Sequence, residues 1–161
     1  MPTDNLSRPV IGVGVLVWRG QQLLLGERLS KGEHSCWQFP GGHLENNESV
    51  IACARREVLE ETGLSIKKLR HIGFTDRLFD IAQKKYLTLL VSCEYKAGQA
   101  QVLEPEKCAR WQWFDYRELP APLFAPISNF LSQIAISPGH DLYSLHNNSQ
   151  LLSDVPSDVH K

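Results

Sequence analysis

The chain has 161 residues, 42% hydrophobic and 22% charged, with a net charge of −1. That is enough for one domain with a core of its own, and nothing in the charge gives the basic footprint of a nucleic-acid binder. No apolar run approaches a membrane span and the start, MPTDNLSRPV, lacks the apolar stretch of a secretion signal, so the expectation is a cytoplasmic protein with no nucleic-acid or membrane partner.

Residues 1–9 read as a lead-in, residues 10–137 as the domain, and residues 138–161 as a largely irregular polar tail. Val10 to Trp18 is β-branched and apolar and reads as a strand, with Gly12 and Gly14 inside it. Arg19-Gly20-Gln21 is a turn, and Gln22 to Arg28 closes a hairpin. Leu29 to Ser35 is a polar loop. Trp37-Gln38-Phe39-Pro40-Gly41-Gly42 follows, where the proline and glycines predict irregular backbone.

Glu48 to Thr62 has neither Gly nor Pro and reads as a helix, with Asn46 or Asn47 as its cap and Gly63 as its stop. Ile51, Ala54 and Val58 make its packing face. Ile66 to Ile81 alternates as a strand with a break near Thr75-Asp76, and Gln83-Lys84-Lys85 is a turn. Tyr86 to Tyr95 is almost continuously apolar, as a buried central strand is. Ala97 to Lys107 is a loop, Cys108 to Tyr116 a further strand, and Pro126 to Ile136 a helix that Ser137-Pro138-Gly139 ends. The four cysteines, Cys36, Cys53, Cys93 and Cys108, form no C-x-x-C pair and read as reduced thiols.

The chemistry concentrates between Gly42 and Leu64. Glu57, Glu60 and Glu61 share one side of the predicted helix, and like charges at that spacing repel by a few tenths of a kcal/mol per pair, roughly. A cation between them removes the repulsion. Carboxylate oxygens suit a hard ion, Mg²⁺ or Mn²⁺, better than zinc. Arg56 is placed to pair with Glu60 one turn on, or to hold Glu48.

The spacing is Gly, five residues, Glu, seven residues, Arg-Glu, apolar, any, Glu-Glu, any, Gly, apolar. Gly42, Glu48, Arg56, Glu57, Val58, Glu60, Glu61, Gly63 and Leu64 fill every fixed position. That pattern is the Nudix box, and the sequence resembles a Nudix hydrolase. The resemblance implies an α/β/α sandwich with a mixed sheet, where periodicity alone gives only mixed α and β. It also implies hydrolysis of a nucleoside diphosphate linked to another group. Glu57 and Glu61 are then the main metal ligands, Glu60 completes the cluster, and the Gly41 carbonyl adds a further oxygen. The general base is the residue matching Glu57 in some family members and lies outside the box in others. Many members take a ligand or base from a loop near LEPEKC; Glu106 is the candidate here, with Glu104 read as a solvated acid.

FPGGHLE, the Tyr86–Thr88 segment and LEPEKCARWQWFDYRELP narrow the resemblance to the nucleoside triphosphate diphosphatases of the family, over about Val10 to Leu131. This implies release of diphosphate from a nucleotide substrate, with Gln38, Phe39, His43 and Thr88 near base and sugar, and a homodimer. Where the human member that acts on thiopurine and oxidised guanine nucleotides has an aromatic-glycine pair, this chain has Ala125-Pro126, so its base pocket differs. Arg28 is either a bidentate phosphate ligand or a surface residue. Trp111 and Trp113 face one side of a strand, for core packing or for stacking on a base. Two other readings stand. One is hydrolysis of ADP-ribose or a nucleotide sugar, against which residues 76–84 lack the proline such members carry. The other is a sensor module without catalysis, against which all the box glutamates are present.

Overall fold

The computed structural model describes residues 8–29, 35–79, 84–135 and 141–153. Most of the lead-in, most of the loop after Arg28, Gln83 of the predicted turn, the stop at 137–139 and the last eight residues lie outside them. Seven strands are present: β1 (Val10–Arg19), β2 (Gln22–Arg28), β3 (Cys36–Gln38), β4 (Gly41–His43), β5 (Ser65–Phe79), β6 (Lys84–Ala97) and β7 (Cys108–Asp115). Three helices accompany them: α1 (Val50–Thr62), α2 (Ala125–Ala135) and α3 (Leu142–Asn148).

The strand order is β3-β2-β1-β6-β5, with β4 added to β1 and β7 to β2. β1 runs parallel to β6 from Val10 to Trp18, and the other pairs are antiparallel. β1 is shared along its other flank: Gly12–Gly14 pair with β4, and Trp18-Arg19 pair with β2. A mixed sheet packed between helices is the architecture expected from the resemblance.

The alternation of β1 sorts the core into two layers. Val13, Val15 and Val17 face α1 and pack with Leu24, Val91, Cys93, Ala54 and Val58. Leu16 and Trp18 face the other way, with Leu23, Leu25, Leu90, Ile127 and Phe130. Val15, Val17 and Val58 are fully buried, and each such side chain stabilises the fold by roughly 1.5–3 kcal/mol.

Several expectations need correction. α1 starts at Val50, not Glu48, and its cap is Ser49, whose Oγ accepts from the Ala52 N–H at 3.0 Å. Asn47 instead turns the chain at φ 65°. Glu48 stays outside the helix and accepts the Glu45 N–H at 2.9 Å. Gly63 ends the helix as expected, left-handed at φ 79°, with its N–H on the Leu59 carbonyl. Gly41 and Gly42 are regular strand rather than irregular backbone, because β1 offers a glycine-lined flank to pair with. Thr75 and Asp76 pair normally with Thr88 and Leu87; the register shifts lie upstream, between Ser65 and Gly73.

The tail is not irregular throughout. Asp141 caps α3, accepting the Ser144 N–H at 2.7 Å, and Leu142 and His146 are buried. The Trp18 indole N–H donates to Ser92 Oγ at 2.8 Å, and that hydroxyl lies 2.5 Å from His146 Nδ1. Ser92 Oγ thus bridges the Trp18 indole and the His146 ring, and burial pushes the His146 pKa down.

Candidate functional site

Two glycines bring the helix and the sheet together. A Cβ on Gly41 would lie 2.1 Å from the Val13 carbonyl oxygen, and one on Gly42 would lie 2.4 Å from the Glu57 carboxylate. Only glycine lets β4 lie against β1 on one side and carry Glu57 on the other. One turn further along α1, Glu61 Oε2 accepts the Gly41 N–H at 3.4 Å.

Arg56 ties this end of the helix to the preceding loop. Its Nε and Nη2 donate to the two oxygens of Glu48 at 2.8 and 2.7 Å, a bidentate pair. Its Nη1 donates to Glu57 at 2.8 Å and Glu60 at 3.2 Å, and Nη2 also reaches the His43 carbonyl at 3.3 Å. Both partners foreseen for Arg56 are therefore present together. Its guanidinium holds the Glu48 carboxyl down at about 2.

Glu61 is the opposite case. Burial, then the charge of Glu57 and, more weakly, that of Glu104 push its pKa up to about 8, against the favourable Gly41 N–H. Glu57 and Glu61 thus share one crowded space. Glu60 does not join them: its side chain is 53% exposed and turned to Arg56. Among the described residues no three His, Cys, Asp or Glu side chains form a ready-made metal cluster. The donor set nevertheless fits a hard divalent ion, because it is oxygen throughout and the Glu57–Glu61 repulsion is what a cation relieves.

The two loop acids separate clearly. Glu104, with Glu61, Gln38, Lys107, Cys108 and Trp111, lines a cavity of about 30 Å³. Lys107 Nζ donates to Glu104 Oε2 at 3.2 Å. Glu106 is exposed and does not line this cavity. Glu104, the acid expected to be solvated, is oriented by the turn in which its carbonyl accepts the Lys107 and Cys108 N–H groups. No local signal in LEPEKC gives that.

The predicted substrate residues fall in two places. Arg28 donates to the Gln38 side chain at 2.9 Å and lies 4.5 Å over the Phe124 ring. His43, Gly12, Thr88 and Thr75 form one row across β4, β1, β6 and β5. A Cβ on Gly12 would be in ordinary contact with Thr88 Oγ1 at 3.7 Å and the Gly42 carbonyl at 3.8 Å. Phe39 is only 6% exposed and belongs to the core on the α2 side, the face that Gly12 shares with Leu16 by the alternation of β1. Trp111 and Trp113 pack against the α1-side core, Trp111 across Gly26 and Trp113 edge-on to Tyr95.

This fold, with a helix whose glutamates meet a Gly-Gly strand, is that of one family. The NUDIX domain model matches residues 8–134, and the chain belongs to the Nudix family. It is 33% identical over 126 residues to an NAD-capped RNA hydrolase, NudC, of Stutzerimonas stutzeri, covering 76% of this chain and 43% of that one. It is 29% identical over 148 residues to an RNA pyrophosphohydrolase of Rhizobium meliloti, covering 76% and 88%. Among solved structures, a MutT NUDIX hydrolase from Burkholderia pseudomallei superposes with a TM-score of 0.69 at 25% identity, covering 78% of this chain and 95% of that one. The chain spans less than half the length of some of the curated relatives it matches.

These relatives correct one expectation. Near-neutral net charge does not exclude a nucleic-acid partner, contrary to the expectation above: relatives are named for acting on RNA. Net charge reports on proteins that neutralise many backbone phosphates. It does not report on a site that grips one phosphorylated end. No helix of the described residues is long and apolar enough to cross a membrane.

Proposed function

We propose that this protein hydrolyses a phosphoric anhydride bond of a nucleoside 5′-polyphosphate with Mg²⁺, or Mn²⁺ in its place, using water as nucleophile. The observation that carries the reading is the Glu57–Glu61 pair, crowded against Gly41-Gly42 beside Glu104. Glu57 and Glu61 would hold the ion, with Glu60 released from Arg56 and the Gly41 carbonyl completing its oxygens. When bound, the ion neutralises phosphate charge and lowers the pKa of a water. Arg56 keeps Glu57 in place through the helix–loop tie. Arg28 and Gln38 stand together as a bonded pair for the phosphate chain, and His43 and Thr88, on either side of Gly12, are the residues for base and sugar.

The first substrate to test is a free nucleoside triphosphate, yielding monophosphate and diphosphate. The likeness of FPGGHLE and LEPEKCARWQWFDYRELP to the nucleoside triphosphate diphosphatases supports it. The names of the RNA-acting relatives favour a second substrate, the 5′-polyphosphate end of an RNA. Phosphate and diphosphate release should be measured with Mg²⁺ over the nucleoside triphosphates, a 5′-triphosphorylated RNA oligonucleotide, NAD and ADP-ribose. Turnover of the triphosphates, lowered more than about tenfold by Glu61→Gln, is the expected result. Turnover of RNA ends alone selects the second reading. Equal turnover by Glu61→Gln overturns the metal assignment.

A further inference from the structure

A second cavity lies on the α2 face of the sheet, at the far end of β1 from the Gly41-Gly42 strand. From Val13, which pairs with Gly42, to Arg19 is six residues of strand, roughly 20 Å. The cavity holds about 260 Å³, near the lower end of the roughly 300–1,000 Å³ of small-molecule sites. Its floor is one row of the sheet. Trp18 of β1 pairs with Glu94 of β6, and Glu94 pairs with Lys67 of β5, so the three side chains share a face. α3 stands over that row with Tyr143, His146 and Asn147, which its helical spacing puts on one side.

The wall is held firmly, yet its polar groups are uncommitted. Tyr143 is edge-on to Trp18 at 5.3 Å and stacked on Tyr116 at 5.6 Å. The His146 ring is fixed at Nδ1 by Ser92, which turns Nε2 away from that serine. Among the described residues the Tyr143 hydroxyl and the Asn147 amide have no hydrogen-bond partner. The charge of the lining is positive. Lys67 and Arg19 have no carboxylate partner among the described residues. Arg19 is held instead over the Trp113 ring at 4.2 Å and the Tyr95 ring at 5.6 Å. Glu94 brings the one carboxylate of the lining, and Lys68 Nζ stands 3.9 Å from it.

We propose that this cavity is a second nucleotide site, separate from the Nudix centre, and that it takes a mononucleotide. The base lies against the aromatic rings of Tyr143 and Tyr95, and the 5′-phosphate meets Lys67 and Arg19. Asn147 bonds the edge of the base, because an amide offers a donor and an acceptor side by side, as a base edge does. Aromatic rings next to unpaired cations select a ligand that is planar at one end and anionic at the other. The site does not depend on the hydrolase reading, since none of its residues belongs to the box.

The test uses the full ¹⁵N-labelled chain, kept free of divalent metal by a chelator and titrated with AMP, GMP, CMP, adenosine and inorganic phosphate. A nucleoside monophosphate should shift the Trp18 indole and Asn147 side-chain amide signals. Asn147→Ala and Lys67→Ala, both at exposed positions, should each weaken its binding about tenfold, the loss of one hydrogen bond or ion contact. Glu61→Gln should leave the affinity within about twofold, and adenosine and phosphate should each bind at least about tenfold more weakly than AMP. No shift at Trp18 and Asn147 with millimolar nucleotide overturns the proposal, as does binding that Glu61→Gln abolishes. Inorganic phosphate binding as tightly as the monophosphates overturns it too, because an anion alone then satisfies the site.

Discussion

Arg56→Lys tests the tie between the helix and the loop before it. Arginine bonds Glu48 at two points and also reaches Glu57 and Glu60. Lysine is a point charge and spans at most one or two of these carboxylates. Glu48 and Glu57 are 12% and 13% exposed, so they depend on the tie; Arg56 is 24% exposed, so water recovers part of the loss. A charged hydrogen bond contributes about 1.5–3 kcal/mol. Losing two, with that recovery, destabilises the fold by about 2–3 kcal/mol. For a chain of this size the melting temperature then falls by about 5–10 °C. Acid should close the gap. Glu48 is held at about 2 in the fold against 4.5 ordinarily, so its contribution is full above pH 4.5 and is lost as pH falls towards 2. Differential scanning fluorimetry of both proteins, metal-free, near neutral pH and near pH 3, reads both effects. Equal melting temperatures near neutral pH, or a gap undiminished by acid, would refute the reasoning.

Glu61→Gln should reverse the usual sign. The folded protein holds the Glu61 proton up to about pH 8, so its ionisation costs stability increasingly as pH rises from 4.5 to 8. The variant should match the wild type near pH 4 and melt higher near pH 9 without metal; superimposable pH profiles would contradict this. Gly42→Ala forces Glu57 aside, since the new Cβ would lie 2.4 Å from its carboxylate. Mg²⁺ affinity by calorimetry should drop roughly 10–100-fold, and wild-type affinity would remove the glycine from the site. Ser49→Ala deletes the helix cap, worth about 1 kcal/mol, and should lower the melting temperature by about 2–4 °C. An unchanged melting temperature would return capping to Asn46 or Asn47.

The box was readable because its constraints are local. Gly42, Glu57 and Glu61 are fixed by one helical turn and one tight contact, and both leave a spacing in the sequence. The start of the same helix was misplaced because Asn47 and Ser49 are both good caps. Only the left-handed turn at Asn47 decides for Ser49. α3 escaped notice because seven residues with two buried positions, Leu142 and His146, make no sustained period. Its hold on the sheet comes from Ser92 and Trp18, more than fifty residues away. Glu104 and Glu106 differ only in which way a turn points them, and Trp111 differs from Trp113 by what lies across the sheet. Such long-range placement leaves no mark on neighbouring residues.

The fit of Gly42 against Glu57 has a consequence for engineering. Moving the acidic helix alone to a new scaffold would strand its carboxylates, since their rotamers are set by a backbone that must run side-chain-free along an adjoining strand. The smallest transplantable piece is thus β1's glycine flank, β4, the connecting loop and α1 taken together, with Arg56 as the staple that travels with them.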